Sequence, residues 1–327
     1  MTTLLLPSLL LIIGLALLVW SSDIFIDGAA SVAKHLSISP LVIGVVVLGF
    51  GTSMPEVVVA ALASLDNSPG LAVGNAIGSN IANIGLVLGV TALITPILVK
   101  SSILKRELSL LLAISFGVYL LILDNELSRI DGGILVTLLF ATMYWMIKAN
   151  KSIDPTDPIA TETEHEIEEI QALSLQKSYF YLIGGLIVLM ISAKMMVNGA
   201  VEIAHFFEVP EVVIGLTIIA IGTSLPELAA AISAARKNEA DLMIGNIVGS
   251  NLFNILAVLA VPALLAPSVL DVDVMPFDYP IMLGFTIAML LLALPLFGKA
   301  VINRPKGFIL TVGFISYLVL LYFRSVQ

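Results

Sequence analysis

Long apolar runs separated by short polar turns dominate this chain. Ten of them reach the roughly 17–25 residues that a bilayer span requires. They lie near 5–27, 40–65, 71–95, 106–123, 130–149, 178–198, 210–235, 242–266, 277–297 and 307–323. Their length, and the lack of strict alternation, predict helices rather than barrel strands. The run 5–27 has no basic segment before it and no clean small-x-small cleavage site, so it reads as a helix and not as a signal peptide. It also has a twin: Gly14, Leu15, Leu18 and Gly28-Ala29 recur 171 residues later as Gly185, Leu186, Leu189 and Gly199-Ala200.

The polar positions inside the runs repeat with the same offset. Gly51-Thr52-Ser53-Met54-Pro55-Glu56 returns as Gly222-Thr223-Ser224-Leu225-Pro226-Glu227. Gly74-Asn75-Ala76-Ile77-Gly78-Ser79-Asn80-Ile81-Ala82-Asn83 returns as Gly245-Asn246-Ile247-Val248-Gly249-Ser250-Asn251-Leu252-Phe253-Asn254. Polar and ionisable groups at membrane depth are costly and mark functional sites. Helix-breaking Gly and Pro in matching positions of two halves point to the binding site of a transporter.

Charge orients the spans. The loops after spans 1, 3, 5, 7 and 9 hold 12 of the 15 Lys and Arg residues. The positive-inside rule places those loops in the cytoplasm and both termini outside. Each half holds five spans, an odd number, so the second half is inserted upside down. The chain divides into a first repeat (1–147), an acidic cytoplasmic linker (148–177) and a second, inverted repeat (178–327). The expected fold is an all-α integral membrane protein of ten transmembrane helices, two inverted five-helix repeats with helices broken at the midplane.

Composition agrees. The chain is 59% hydrophobic and 12% charged, against about 45–50% and about 25% for soluble proteins. With no cysteine, thiolate metal sites and Cys nucleophiles are excluded. Its three histidines form no zinc motif. Net charge is −9, and seven of the 24 acids lie between Asp154 and Glu169; nucleic acid is not an expected partner, and the acidic run reads as a solvated linker. Asp23 and Lys194 occupy matching repeat positions near helix ends and read as snorkelling side chains. Trp145 reads as an interfacial belt residue. A phosphate-binding loop is missing, so ATP drive is not indicated.

The paired cassettes carry the chemistry. Pro55 cannot continue the preceding helix, and Thr52 and Ser53 are suited to cap a new one. The break frees backbone carbonyls, tolerable only in protein or beside a polar cavity. Glu56 then falls in the first turn of a half-helix, where the helix dipole favours a carboxylate. Glu227 repeats this from the opposite side. Asn75, Ser79 and Asn83 share one helix face, as do Asn246, Ser250 and Asn254, while Gly74 and Gly78 allow a close helix approach. The resulting set of carboxylates, amides, hydroxyls and carbonyls is all oxygen, which suits Ca²⁺, Mg²⁺ or Na⁺.

These cassettes closely resemble the two alpha-repeats of the cation/calcium exchanger superfamily, in its sodium/calcium exchanger branch. The resemblance covers all ten spans. It implies an antiporter, not an enzyme, that exchanges Na⁺ for Ca²⁺ across the cell membrane by alternating access, with spans one and six as the moving gate. It implies Glu56 and Glu227 as central shared ligands. Gly49, Thr52, Ala220 and Thr223 would lend backbone carbonyls. Ser53, Ser79, Ser224 and Ser250 would lend hydroxyls to flanking sodium sites, and Asn83 and Asn254 would sit at the midplane. Some members have Asp where this chain has Asn254, which makes potassium dependence less expected. No cofactor is implied beyond the transported ions, and no obligatory protein partner. Proton or other cation antiport, a cation channel and a membrane cation sensor are the alternative readings.

Overall fold

The computed structural model describes residues 2–36, 38–99, 104–151, 173–207, 220–270, 274–295 and 300–325. The acidic run 154–169 and the first half of the seventh span, 210–219, lie outside the described residues.

The helices of the first repeat are α1 (Thr2–Leu36), α2 (Pro40–Thr52), α3 (Met54–Leu65), α4 (Pro69–Ile94), α5 (Leu104–Leu108 continuing as Ser109–Leu121) and α6 (Arg129–Lys151). Those of the second are α7 (Leu175–Phe206), α8 (Ala220–Thr223), α9 (Leu225–Arg236), α10 (Ala240–Leu265), α11 (Val274–Ala293) and α12 (Arg304–Ser325). Among the described residues, seven helices are individually long and apolar enough to cross a membrane, or eight if the bent pair α2–α3 is one span. The expected fourth span is helical, but Lys105, Arg106 and Glu107 crowd its first turn. The expected seventh span is described only from Ala220 onward.

The duplication read in the sequence is a duplication of backbone. α3 and α9, and the starts of α4 and α10, match residue for residue at an offset of 171. So do the left-handed turn residues Asn67 (φ 56°) and Asn238 (φ 61°), positions where Asn tolerates a conformation most residues avoid. Four two-residue strands, β1 (Ile97–Leu98), β2 (Glu126–Leu127), β3 (Ser268–Val269) and β4 (Val301–Ile302), pair across the repeats as β1 with β4 and β2 with β3. Each ladder is the pseudo-symmetric image of the other.

The contact between α1 and α7 has the same reciprocity. Gly14 abuts Met196 while Gly185 abuts Phe25; Gly28 abuts Leu182 while Gly199 abuts Leu11. Each contact maps onto its partner by the 171-residue offset, as a two-fold axis between inverted repeats requires. At 35 and 32 residues, these helices are about 50 Å long. They exceed a hydrocarbon core of about 30 Å and must tilt or project beyond it. Both are peripheral, with 22% and 28% of their apolar windows buried, whereas α4 and α10 are central at 72% and 83%.

A further close approach is seen among the described residues. A Cβ on Gly245 or Gly249 would lie 2.5 Å from the Leu41 carbonyl or 2.3 Å from that of Val45, so α10 is in backbone contact with α2. At Gly74 and Gly78, where the sequence predicts the same approach, no described atom lies within 4 Å of a Cβ. The residues matching Leu41 and Val45 in the second repeat, 212 and 216, lie outside the described set.

Candidate functional site

The break between α2 and α3 falls on Ser53, whose backbone (φ −85°, ψ 6°) leaves the helix, and the axis bends by 41°. Ser224 repeats that conformation (φ −90°, ψ 4°) before α9. Proline follows two residues later in each case and removes the backbone donor that would carry the helix through. Glu56 and Glu227 therefore occupy the first turns of α3 and α9. Both are buried, with 1% of their surface exposed.

The expected capping role of Thr52 and Ser53 is not what the structure uses. Neither α3 nor α9 has a side-chain cap. Ser53 Oγ instead crosses to the other repeat and donates to Glu227 Oε1 at 3.3 Å. Thr52 Oγ1 lies 3.0 Å from the Leu48 carbonyl, 3.2 Å from Asn246 Oδ1 and 3.3 Å from Ser250 Oγ. Ser250 Oγ in turn reaches the Gly49 carbonyl at 3.4 Å. Gly49 has no side chain because none fits: a Cβ would meet Gly249 backbone at 2.6 Å. The hydroxyl-bearing break of the first repeat is thus laid against the polar face of α10.

The polar faces of α4 and α10 are not used alike. Asn246 accepts from Thr52, whereas its counterpart Asn75 donates through Nδ2 to the Glu56 carbonyl at 3.1 Å. Asn80 Nδ2 contacts Met282 Sδ at 3.4 Å, and Asn251 Nδ2 bonds back to the Ile247 carbonyl at 2.8 Å. Ser79 is buried.

Asn83 and Asn254 each open a π-helical segment, Asn83–Leu88 and Asn254–Val258. Such segments inside α-helices recur at functional sites. α3 packs on the segment that begins at Asn254, and α9 on the one that begins at Asn83. Each glutamate-bearing half-helix thus lies on the other repeat's asparagine segment.

Several buried polar atoms here have no hydrogen-bond partner among the described residues: Glu56 Oε2, Glu227 Oε2, both amide atoms of Asn83 and of Asn254, Ser224 Oγ and Asn246 Nδ2. Buried polar groups are normally satisfied, and an orphan costs about 1–3 kcal/mol. Here they include one oxygen of each of the two buried carboxylates. Among the described residues no group of three or more His, Cys, Asp or Glu could hold a metal, so any cation here would complete its shell with neutral oxygens. Hard cations accept that donor set.

The structure thus joins Glu227 to Ser53, and Thr52 to Asn246, Ser250 and Gly49. Thr223 ends α8 and Ala220 begins it. Sequence reasoning placed Asn246 on the polar face but missed its contact with Thr52. It also missed the orphaned Thr91 Oγ1, buried eight residues beyond Asn83; a lone threonine in an apolar run carries no signal.

Comparison with known proteins identifies the family. A family model described as "Sodium/calcium exchanger protein" matches residues 6–148 and 177–323. The inner membrane protein YrbG of Escherichia coli (strain K12) is 40% identical over 98% of each chain. The sodium/calcium exchanger MaX1 of Methanosarcina acetivorans is 29% identical over 96% of this chain and 98% of its own. The solved sodium-calcium exchanger NCX_Mj, soaked without Na⁺ and Ca²⁺, superposes with a TM-score of 0.83 at 33% identity, covering 97% of this chain and 99% of its own. With both repeats matched and the helical fold shared along the chain, this chain is an integral membrane protein that belongs to the sodium/calcium exchanger family of cation antiporters.

Proposed function

We propose that this protein exchanges Na⁺ for Ca²⁺ across the cell membrane by alternating access at one shared midplane site. The observation that carries the reading is the pair Glu56 and Glu227, buried, contributed by both repeats and each with an oxygen that no described group satisfies. Two uncompensated carboxylates in a dry site are prohibitively costly. A bound cation removes the cost.

Glu56 and Glu227 would ligate Ca²⁺ directly, with carbonyls of Gly49, Thr52, Ala220 and Thr223 completing a flexible shell of six to eight oxygens at about 2.3–2.6 Å. Ser53, Ser79, Ser224 and Ser250 would place hydroxyls at flanking Na⁺ sites that share the glutamates. Asn83 and Asn254 would orient the centre with neutral amides. Sharing makes the ions competitors, and competition at a site open to one side at a time is what couples the two gradients. The site carries −2, balanced by one Ca²⁺ or two Na⁺. A third Na⁺ would make the cycle electrogenic. Asn254 in place of a carboxylate speaks against a K⁺ requirement. The basic loops orient the chain with both termini outside.

The test is ⁴⁵Ca²⁺ uptake into proteoliposomes loaded with Na⁺ and diluted into Na⁺-free buffer, with K⁺-loaded, pH-jumped and Glu227→Gln controls. Uptake that needs internal Na⁺ and disappears in the variant is the expected result. Uptake driven by a proton gradient alone would replace Na⁺ coupling by H⁺ coupling, and uptake without any counter-ion would make the protein a channel.

A further inference from the structure

The sequence suggests that Asp23 snorkels. It does not. α1 carries Asp23 and Asp27 on one face, and both engage the end of half-helix α9. Ser233 Oγ donates to Asp23 Oδ1 at 2.5 Å. Lys237 Nζ donates to Asp27 Oδ1 at 2.5 Å and to the Asp23 carbonyl at 2.9 Å. The long outer helix of the first repeat is thereby fastened to the half-helix that carries Glu227.

The 171-residue offset maps this cluster onto Lys194 for Asp23, Asn198 for Asp27, Leu62 for Ser233 and Asp66 for Lys237. Lys237 caps the C-terminus of α9, and Asp66 caps that of α3. The charges are exchanged. In one set the acids are on the outer helix and the base is on the half-helix; in the other the base is on the outer helix and the acid on the half-helix. Only the first set is assembled. Ser233 is 2% exposed and Leu62 is 58% exposed. Lys194, Asn198 and Asp66 are all exposed. α1 packs along α9, while no comparable packing joins α7 to α3 among the described residues.

We propose that these are two alternative latches of one transport cycle. Asp23 and Asp27 with Ser233 and Lys237 close the α9 side in the conformation seen here. Lys194 with Asp66 closes the α3 side in the opposite conformation. The inference rests on alternating access as proposed above, and not on which ions are exchanged. Its physical basis is the inverted repeat: when the halves trade conformations, the contact of α1 with α9 becomes the contact of α7 with α3. Opposite signs within each latch give it attraction. Partly exposed ion pairs of this kind are individually weak, enough to bias a conformation and weak enough to release in every cycle. In the orientation set by the basic loops, the assembled latch is cytoplasmic and the unassembled one faces outward.

The chain has no cysteine, so engineered thiols report directly. In proteoliposomes, Leu62→Cys should react readily with a membrane-impermeant maleimide. Adding Lys237→Ala should lower that rate about threefold, since loss of an ion pair of this size shifts the population toward the other conformation. Adding Asp66→Ala should leave it unchanged or raise it. The exchanged pair Asp27→Lys with Lys237→Asp should restore the parent rate, because the attraction survives the exchange. A short bifunctional thiol linker should join Asp27→Cys to Lys237→Cys, and Lys194→Cys to Asp66→Cys. Each link should stop exchange, and each should exclude the other. Labelling of Leu62→Cys unaffected by Lys237→Ala, or no linking of residues 194 and 66 under any ion gradient, would overturn the proposal. These readouts need no Ca²⁺ flux, so they stand or fall separately from the Na⁺ coupling.

Discussion

Ser53 Oγ donates a 3.3 Å hydrogen bond to Glu227 Oε1, across 174 residues of chain. The helix break of one repeat thus holds the carboxylate of the other. A hydrogen bond to a charged group is worth about 1.5–3 kcal/mol. Ser53→Ala should leave the fold intact and weaken cation binding on the order of tenfold, read as a raised half-saturating Na⁺ or Ca²⁺ concentration. An unchanged concentration dependence would show that the hydroxyl is not part of the site.

Glu56→Gln and Glu227→Gln should each abolish Ca²⁺ transport while the protein still folds, because one carboxylate cannot neutralise Ca²⁺. Ion-dependent stabilisation should vanish with it, since only a ligand that binds the folded protein raises its melting temperature. Retained transport in either variant would sink the shared-ligand reading.

Asn83 and Asn254 bury whole amides without hydrogen-bond partners among the described residues. Replacing an unsatisfied polar group by an apolar one of similar shape is neutral or stabilising, with about 1–3 kcal/mol at stake. Asn254→Leu should therefore melt no lower than the parent without ions, yet lose exchange. A clear drop in melting temperature would mean that the amide serves folding instead.

Gly249→Ala would push a methyl to 2.3 Å from the Val45 carbonyl. Backbone cannot yield as a flexible side chain does, and overpacking costs about 1–3 kcal/mol. The variant should melt lower in detergent, while Gly117→Ala, with nothing within 4 Å of its Cβ, should not. Equal melting would contradict the close contact of α2 and α10.

Glu239 lies in the turn between α9 and α10. Burial, then the carboxylates Asp241 and Asp27, push its carboxyl above the ordinary value of 4.5, against Lys237. The folded chain therefore holds this proton to higher pH than the unfolded chain does. Stability falls as pH rises through that window, and the loss persists above it. Glu239→Gln should melt higher than the parent at neutral pH, with the advantage fading toward acid and gone below the unfolded carboxyl range. A pH-independent difference between the two would refute it.

Much of this protein is legible in one dimension. The bilayer demands long apolar helices, so the spans show in hydropathy. Repeats built on one plan keep their glycines, prolines and polar residues in register, so the duplication at 171 residues, the two breaks and both glutamates are visible before any packing is known. An odd number of spans per repeat then dictates inversion. What the sequence could not show is how side chains pair across that axis. It assigned Ser53 and Thr52 to local capping, a rule about neighbours in the chain, whereas packing of α2 against α10 and α9 turned both toward the other repeat. It left Asp23 at a membrane surface, whereas α9 brought Ser233 and Lys237 to it. It marked cassette glycines for close approach without naming what approaches, and for Gly245 and Gly249 that is the backbone of Leu41 and Val45. Local patterns set the elements; contacts between residues 174 to 214 positions apart exist only once the two repeats are docked, and a conformation that breaks the symmetry between them is a property of the docked structure alone.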